Sequence, residues 1–168
     1  MRVSNQFADV TTGVIYIHSS PAAVCPHIEW ALAATLSSRP ELTWIGQPAD
    51  VGVLRTSIDW VGPVGTAGRL AEALSVWPML RFEITENPSE GVDGERYSYV
   101  PRLGLWRGCA SANGDVVVGE MRLRAILASS DAAAEIHRAL GTAWDDELEP
   151  YRSGAEGAEV TWLRRDVG

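Results

Sequence analysis

Short runs of β-branched and aromatic residues recur along this chain and predict strands. The continuous apolar run at 14–18 predicts a strand that is buried on both faces. The segment 53–61 alternates instead, so that Arg55, Ser57 and Asp59 share a polar face opposite Ile58 and its apolar neighbours. Further strands are expected at 42–45, 80–85, 116–127 and 160–163, and an extended segment at 97–109 is interrupted by Pro101 and Gly104.

A first helix is predicted between the first two strands, from apolar residues at i+4 spacing through Ile28 and Leu32. Ser20 followed by Pro21 is typical of an N-cap with proline at the first helical position. Pro26 conflicts with that start, since proline inside a helix removes a hydrogen bond and kinks the chain. The helix therefore begins at Ser20 with a kink, or begins near Cys25.

Two further helices follow from the same spacing. Thr66 is expected to cap a second helix, which Pro78 ends. Asp131 is expected to cap a third helix with a regular apolar stripe. Its stripe is Ile136, Leu140, Trp144 and Leu148.

The predicted element order defines an α+β fold. The first six elements, β-α-β-β-α-β, form a ferredoxin-like unit. A β-hairpin at Asn113-Gly114, the third helix and a short C-terminal strand extend it. We expect one domain over residues 1–168, with the second sheet face covered by the hairpin and third helix or by a second subunit, so a homodimer is one expectation.

Composition narrows the classes of partner. The chain has 14 basic and 22 acidic residues, a net charge of −8 and no lysine. An acidic chain is a poor match for phosphate backbones, so no nucleic-acid partner is expected. Two cysteines, no apolar signal region and no long apolar run predict a cytoplasmic protein with reduced thiols and no membrane association.

Several stretches carry a resemblance to a known family. They are SNQFADVTTG at 4–13, SPAAVCPH at 20–27, WVGPVGT at 60–66, LGLW at 103–106 and SANGD at 111–115. Over about residues 4–150 the chain resembles the actinobacterial domain-of-unknown-function family DUF3145. The resemblance implies no known site residues. Genes of this family often lie near those of type II fatty-acid synthesis, so the resemblance implies a link to acyl or thioester metabolism.

The glycine-rich turn into the second helix is the first candidate site. Free N–H groups at a helix start attract anions, and glycines allow an anion to approach closely. The expected ligand is a phosphate-bearing or other small anion, and the alternative is a plain strand-to-helix turn. The residues assigned to it are Gly62, Gly65, Thr66, Gly68 and Arg69, with Arg55 as a helper.

Two further groupings of residues are candidate catalytic sites. His18 and Asp59 lie on strands that neighbour each other in a ferredoxin-like sheet, where a carboxylate can orient a histidine base. The alternative is an ion-paired sheet face. Cys25 and His27 would form an activated thiolate only if they faced each other, and a core cysteine is the simpler interpretation. No spacing predicts a metal or another cofactor.

Two charged surfaces are candidate partner sites. The hairpin region is rich in arginine and aromatic residues, while the end of the third helix is acidic. Salt bridges to Glu95 and Glu120 are the simpler explanation for the arginines. The hairpin residues are Arg102, Trp106, Arg107, Arg122 and Arg124. The acidic residues are Asp145, Asp146, Glu147 and Glu149.

Three functions remain open at this point. The first is a non-catalytic module that binds a small anion or a protein partner in acyl metabolism. The second is a metal-independent enzyme acting on a thioester or other acyl substrate. The third is a structural subunit of a larger complex.

Overall fold

A computed structural model describes residues 10–153, which form seven strands and five α-helices. The strands are β1 (Val10–Pro21), β2 (Ile45–Gly46), β3 (Val53–Pro63), β4 (Arg81–Glu86), β5 (Gly94–Val100), β6 (Gly104–Ala110) and β7 (Val116–Val117). The helices are α1 (Cys25–Leu36), α2 (Thr66–Leu74), α3 (Glu120–Leu127), α4 (Ala132–Leu140) and α5 (Thr142–Ser153).

All seven strands belong to one antiparallel sheet in the order β2-β3-β1-β4-β5-β6-β7. The predicted α+β class is therefore confirmed. The ferredoxin-like arrangement and the single domain stay predictions. The predicted strand at 160–163 lies outside the described residues.

One face of the sheet carries the hydrophobic core. Ile15 on β1 pairs with Ile84 on β4, and both are fully buried. Leu32 of α1 and Leu70 of α2 pack in the same cluster, together with Trp60 of β3. The alternation along the central strands thus predicted the inward side correctly, because side chains two residues apart share a face.

The opposite face is polar and is partly covered by α5, which packs on β1 and β5. Leu148 of α5 is fully buried. The prediction that the third helix helps to cover this face is therefore confirmed for its C-terminal half.

The first helix begins at Cys25, which is the second of the two starts that the sequence left open. Ser20 and Pro21 are the last residues of β1, so the alternative N-cap at Ser20 is wrong. A short 3-10 helix (Ala22–Val24) follows, and Pro26 then lies in the first turn of α1. Proline is tolerated there because the first N–H groups of a helix have no intrahelical partner.

The predicted strand at 116–127 is wrong beyond its first residues. The Asn113-Gly114 turn does form a hairpin, with Gly114 at φ 85°. However, β7 has only two residues and α3 follows after Gly119. The residues of α3 are mostly strong helix formers, and local helix propensity outweighs an alternation that has little core to bury.

The predicted third helix is two helices that meet at Gly141. This glycine has φ 73° and ends α4 in the left-handed conformation. Asp131 caps α4 as predicted, since its carboxylate accepts from the Ala134 N–H. Because α5 begins at Thr142, Asp145 lies in a first turn, where a negative charge is favourable. Part of the acidic end of the predicted third helix is therefore the start of α5.

Candidate functional site

Glu83 on β4 is the centre of a charge network between the polar sheet face and α5. Its side chain is fully buried. Nε2 of His18 lies 2.7 Å from Glu83 Oε2, and Nε of Arg152 donates to the same oxygen at 2.9 Å. Arg96 donates to the other carboxylate oxygen at 3.1 Å. A buried carboxylate needs such partners, since burial without them is costly.

Asp145 supplies the second carboxylate of the network. It accepts from Arg96 at 2.6 Å and from Arg152 at 2.9 Å. Two arginines therefore face two carboxylates, which neutralises the buried charges. The network joins β1, β4 and β5 to α5 and fixes the position of the helix.

The same contacts determine the protonation of Glu83. Burial alone would raise its pKa, but hydrogen bonds and charges from His18 and Arg152 outweigh burial and hold the pKa well below its ordinary value. Burial alone would lower the pKa of Arg152, but Glu83 and Asp145 outweigh it and raise the pKa. Both groups are therefore charged at neutral pH.

A cavity of about 270 Å³ lies beside this network. Tyr16, Ile45 and Tyr151 give it aromatic and aliphatic walls, and His18 and Arg152 turn one side of the network toward it. Arg55 and Ser57 of β3 complete the lining. The volume is slightly below the usual range for small-molecule sites, and the mixture of apolar walls with few polar groups is typical of them.

Gln47 and Arg81 contact two residues that line the cavity, His18 and Tyr151. The Gln47 amide donates to the carbonyl oxygens of His18 at 2.8 Å and Tyr151 at 3.2 Å. The Arg81 guanidinium lies over the Tyr151 ring, 4.5 Å from its centroid. These contacts tie the β2 side of the cavity to α5, so its walls are built by packing and hydrogen bonds.

Arg55 has no acidic partner among the described residues, whereas Arg96 and Arg152 of the same face each bind Glu83 and Asp145. Its Nε is buried without a hydrogen-bond partner, as is that of Arg81, whose guanidinium lies over the Tyr151 ring instead. Within residues 10–153 its guanidinium makes no hydrogen bond or ion pair with another side chain. Buried donors are nearly always satisfied in folded proteins, so an unsatisfied one that lines a cavity is a candidate ligand contact.

His18 and Asp59 are not brought together. Asp59 is paired across the ladder with Val14, whereas His18 lies at the irregularity between Ile17 and Ser20. Four residues along a strand correspond to about 13 Å. His18 contacts Glu83 instead. Sequence reasoning missed Glu83, although the alternation placed it on the face opposite Phe82.

The predicted anion site at the start of α2 is engaged by the chain itself. The Glu86 carboxylate accepts from the N–H groups of Gly65 at 2.8 Å and Ala67 at 2.9 Å. Thr66 donates its hydroxyl to Pro63 and accepts from Arg69, so Thr66 is not the N-cap expected from the sequence. An external anion would have to displace Glu86, and its binding here stays a prediction.

Backbone conformation and close packing explain why glycine occupies three positions at this turn. Gly65 is the N-cap at φ 91°, in the left-handed region. A Cβ at Gly62 would lie 2.8 Å from the Thr66 hydroxyl, and one at Gly68 would lie 2.9 Å from the Tyr97 hydroxyl. Close packing accounts for these two glycines without a ligand.

Most hairpin arginines have acidic partners. Arg102 pairs with Glu147, Arg107 with Glu95 and Arg124 with Glu120. The two expected salt-bridge partners, Glu95 and Glu120, are therefore confirmed.

Trp106 and Arg122 are the remaining hairpin candidates. Trp106 is buried and donates its indole N–H to the Arg138 carbonyl oxygen, so it packs against α4. Arg122 is exposed. A partner at the hairpin surface stays a prediction.

Cys25 has the environment of a core cysteine. It is buried, and burial raises the pKa of its thiol. Cys109 is exposed. The sequence interpretation of Cys25 as a core residue is therefore confirmed.

A thiol-modification experiment separates the two cysteines. We expect a chromogenic disulfide reagent to modify Cys109 rapidly in the native protein and Cys25 only on unfolding, because a buried, protonated thiol is a poor nucleophile. Cys109→Ser should abolish the fast phase. Fast modification that persists in Cys109→Ser would contradict this assignment.

Within residues 10–153, no cluster of three or more histidine, cysteine or acidic residues is placed to hold a metal ion. The three histidines lie apart, on β1, α1 and α4. The helices of the described region include none with the length and apolar character needed to cross a membrane.

The fold and the cavity define an α+β protein in which a buried ion network adjoins a ligand-sized cavity. The chain belongs to the family described as protein of unknown function (DUF3145), whose model matches residues 14–165. No curated protein and no solved structure matches the chain.

Proposed function

We propose that this protein binds a small anionic molecule in the cavity between the polar sheet face and α5. The observation that carries the proposal is the Arg55 guanidinium, which lines the cavity without an acidic or hydrogen-bonding partner among the described residues. Glu83 already has His18, Arg96 and Arg152 as partners, two of them cationic. A ligand carboxylate or phosphate would supply the missing counter-charge for Arg55.

The walls of the cavity favour a ligand with an apolar body. Tyr16, Ile17, Ile45 and Tyr151 present more apolar than polar surface to it. A medium-chain carboxylate combines an anionic head with an aliphatic body, which agrees with the expected role in acyl metabolism. Catalysis on an acyl substrate and service as a subunit of a larger complex stay alternative predictions.

The cavity is a better candidate than the α2 turn because Arg55 has no acidic or hydrogen-bonding partner among residues 10–153. At the turn, Glu86 satisfies the amides that an external anion would need, and Arg69 donates to Thr66. The strand order β2-β3-β1-β4, with α1 and α2 on one face, supports a ferredoxin-like unit that leaves the other face for this cavity.

Calorimetric titration with octanoate and with inorganic phosphate tests the proposal. We expect octanoate to bind and Arg55→Gln to weaken its binding about tenfold to a hundredfold, the effect of losing a charge-assisted hydrogen bond. Comparison with phosphate separates recognition of the head group from recognition of the apolar body. Arg55→Gln should fold normally, since Arg55 has no described side-chain partner to lose.

Two matched variants make the result specific. Arg122→Gln removes an exposed arginine elsewhere and should leave affinity unchanged. Arg69→Gln tests the α2 turn. Loss of binding in Arg69→Gln but not in Arg55→Gln would overturn the proposal and favour the turn.

A further inference from the structure

A second, larger depression lies on the same sheet face and meets the first at Tyr16, which lines both. Its volume is about 500 Å³. Val14 and Asp59 belong to its floor, and the loop through Asn113 forms part of its rim. The two depressions together form a groove along β1 and β3, so a molecule held at Arg55 has room to extend past Tyr16.

Asp59 lies in this groove with its charge unneutralised. Its side chain makes no hydrogen bond or ion pair with any other residue in 10–153, and the residue is exposed. Arg55 and Asp59 share one face of β3, with Ser57 between them. Ser57 pairs with Tyr16 and Asp59 pairs with Val14. Two opposite charges, neither with an ionic partner in the part of the chain that the structure describes, therefore lie about 13 Å apart along one strand.

The other charged groups of the second depression already have partners. Glu86 accepts from two backbone amides of the α2 turn, and Glu95 accepts from Tyr97 and Arg107. Arg96 is bound to Glu83 and Asp145. Among the described residues of this depression, Asp59 is the ionisable group left for a ligand.

We infer that the groove takes an elongated molecule with an anionic group at Arg55, an amine at Asp59 and an apolar body across Tyr16 and Val14. This inference rests on the proposed function, since it uses the same anion contact. It specifies the ligand further, as a long-chain amino acid or another acid with a distant amine. The tyrosine ring and the valine side chain favour methylene groups over a polar linker.

The affinities of a series of ω-amino acids, from 4-aminobutyrate to 12-aminododecanoate, test which distance between acid and amine fits Arg55 and Asp59. The plain acid undecanoate is the reference for 11-aminoundecanoate. We expect Asp59→Asn to reduce the affinity ratio of 11-aminoundecanoate to undecanoate about three- to fivefold, which is the effect of one partly exposed ion pair. Undecanoate should bind both forms equally, and 4-aminobutyrate is too short to reach Asp59.

Two variants separate the possible failures. Asp146→Asn removes an exposed aspartate on α5 and should leave the ratio unchanged. An unchanged ratio in Asp59→Asn would overturn this inference, and the proposed function would stand if Arg55→Gln still weakened both ligands. If Arg55→Gln changed neither affinity, or if neither undecanoate nor any member of the series bound, the inference and the proposed function would both be wrong. Binding of undecanoate without binding of any ω-amino acid would overturn this inference alone.

Discussion

Replacing Glu83 with glutamine should lower the free energy of unfolding by about 3 to 5 kcal/mol, the cost of breaking a buried ion pair by removing one partner. Glu83 is the acceptor for His18, Arg96 and Arg152. The glutamine amide would turn an N–H group toward these donors, and Asp145 alone would have to balance two arginines. Urea unfolding followed by tryptophan fluorescence measures the change.

An exposed pair provides the control. Glu120 and Arg124 form an i,i+4 salt bridge on α3 with side chains 74% and 69% exposed. Glu120→Gln should cost no more than about 0.5 kcal/mol, because solvent screens such pairs. Equal effects of the two substitutions would show that the Glu83 network contributes little to stability. If Glu83→Gln does not fold, that result supports the larger effect.

Lowering the pH should destabilise the protein through the same network. The pKa of Glu83 in the folded state lies below its ordinary value of 4.5, so the folded state holds this proton less tightly than the unfolded state. Its stabilising contribution is complete above about pH 4.5 and falls as the pH is lowered from there. One proton contributes at most about 1.4 kcal/mol per pH unit. Glu83→Gln should remove this part of the acid dependence.

Much of the central sheet was predictable because its signal is local. In β3 and β4, apolar and polar residues alternate, and Trp60, Phe82 and Ile84 face the core as the alternation requires. Gly141 was missed as a helix break, because the i+4 stripe continues across it from Leu140 to Trp144. A single left-handed residue redirects the chain without disturbing that pattern.

The site was predictable only in part, because it depends on which elements meet. The sequence suggested His18, Arg55 and Asp59 as polar residues of one sheet face. It could not show that Glu83, from the next strand in the sheet, would reach His18, or that α5 would bring Arg152 over the same point. Such pairings are set by strand register and by helix docking, which have no counterpart in local periodicity.

The α2 turn shows that a local pattern does not reveal a partner from elsewhere in the chain. A glycine-rich loop before a helix is a reasonable anion site by its local pattern. Glu86 lies some twenty positions later in the chain and fills it with a protein carboxylate. Arg55, expected only as a helper at that turn, lies instead at the cavity on the polar sheet face.

Gly13 of β1 lies where the neighbouring strands leave no room for a side chain. It pairs with Trp60 on β3 and with Glu86 on β4. The Trp60 indole crosses over Gly13 and donates its N–H to the Thr85 carbonyl oxygen at 3.2 Å. A Cβ at position 13 would lie 2.6 Å from the indole ring and closer still to that carbonyl oxygen. Neither neighbour can move without a large cost in free energy, because one is a backbone carbonyl group and the other is a buried ring.

Gly13→Ala should therefore destabilise the protein by about 3 kcal/mol, at the upper end of the cost of overpacking a core. Trp60 would have to leave its rotamer or the β1–β4 ladder would have to open. Thermal unfolding by circular dichroism measures the loss, and Gly46→Ala is the matched control. A Cβ at Gly46 meets nothing within 4 Å, so that strand glycine should accept alanine with little change. Similar melting temperatures for the two variants would mean that Trp60 can move aside, and that Gly13 is not required for its position.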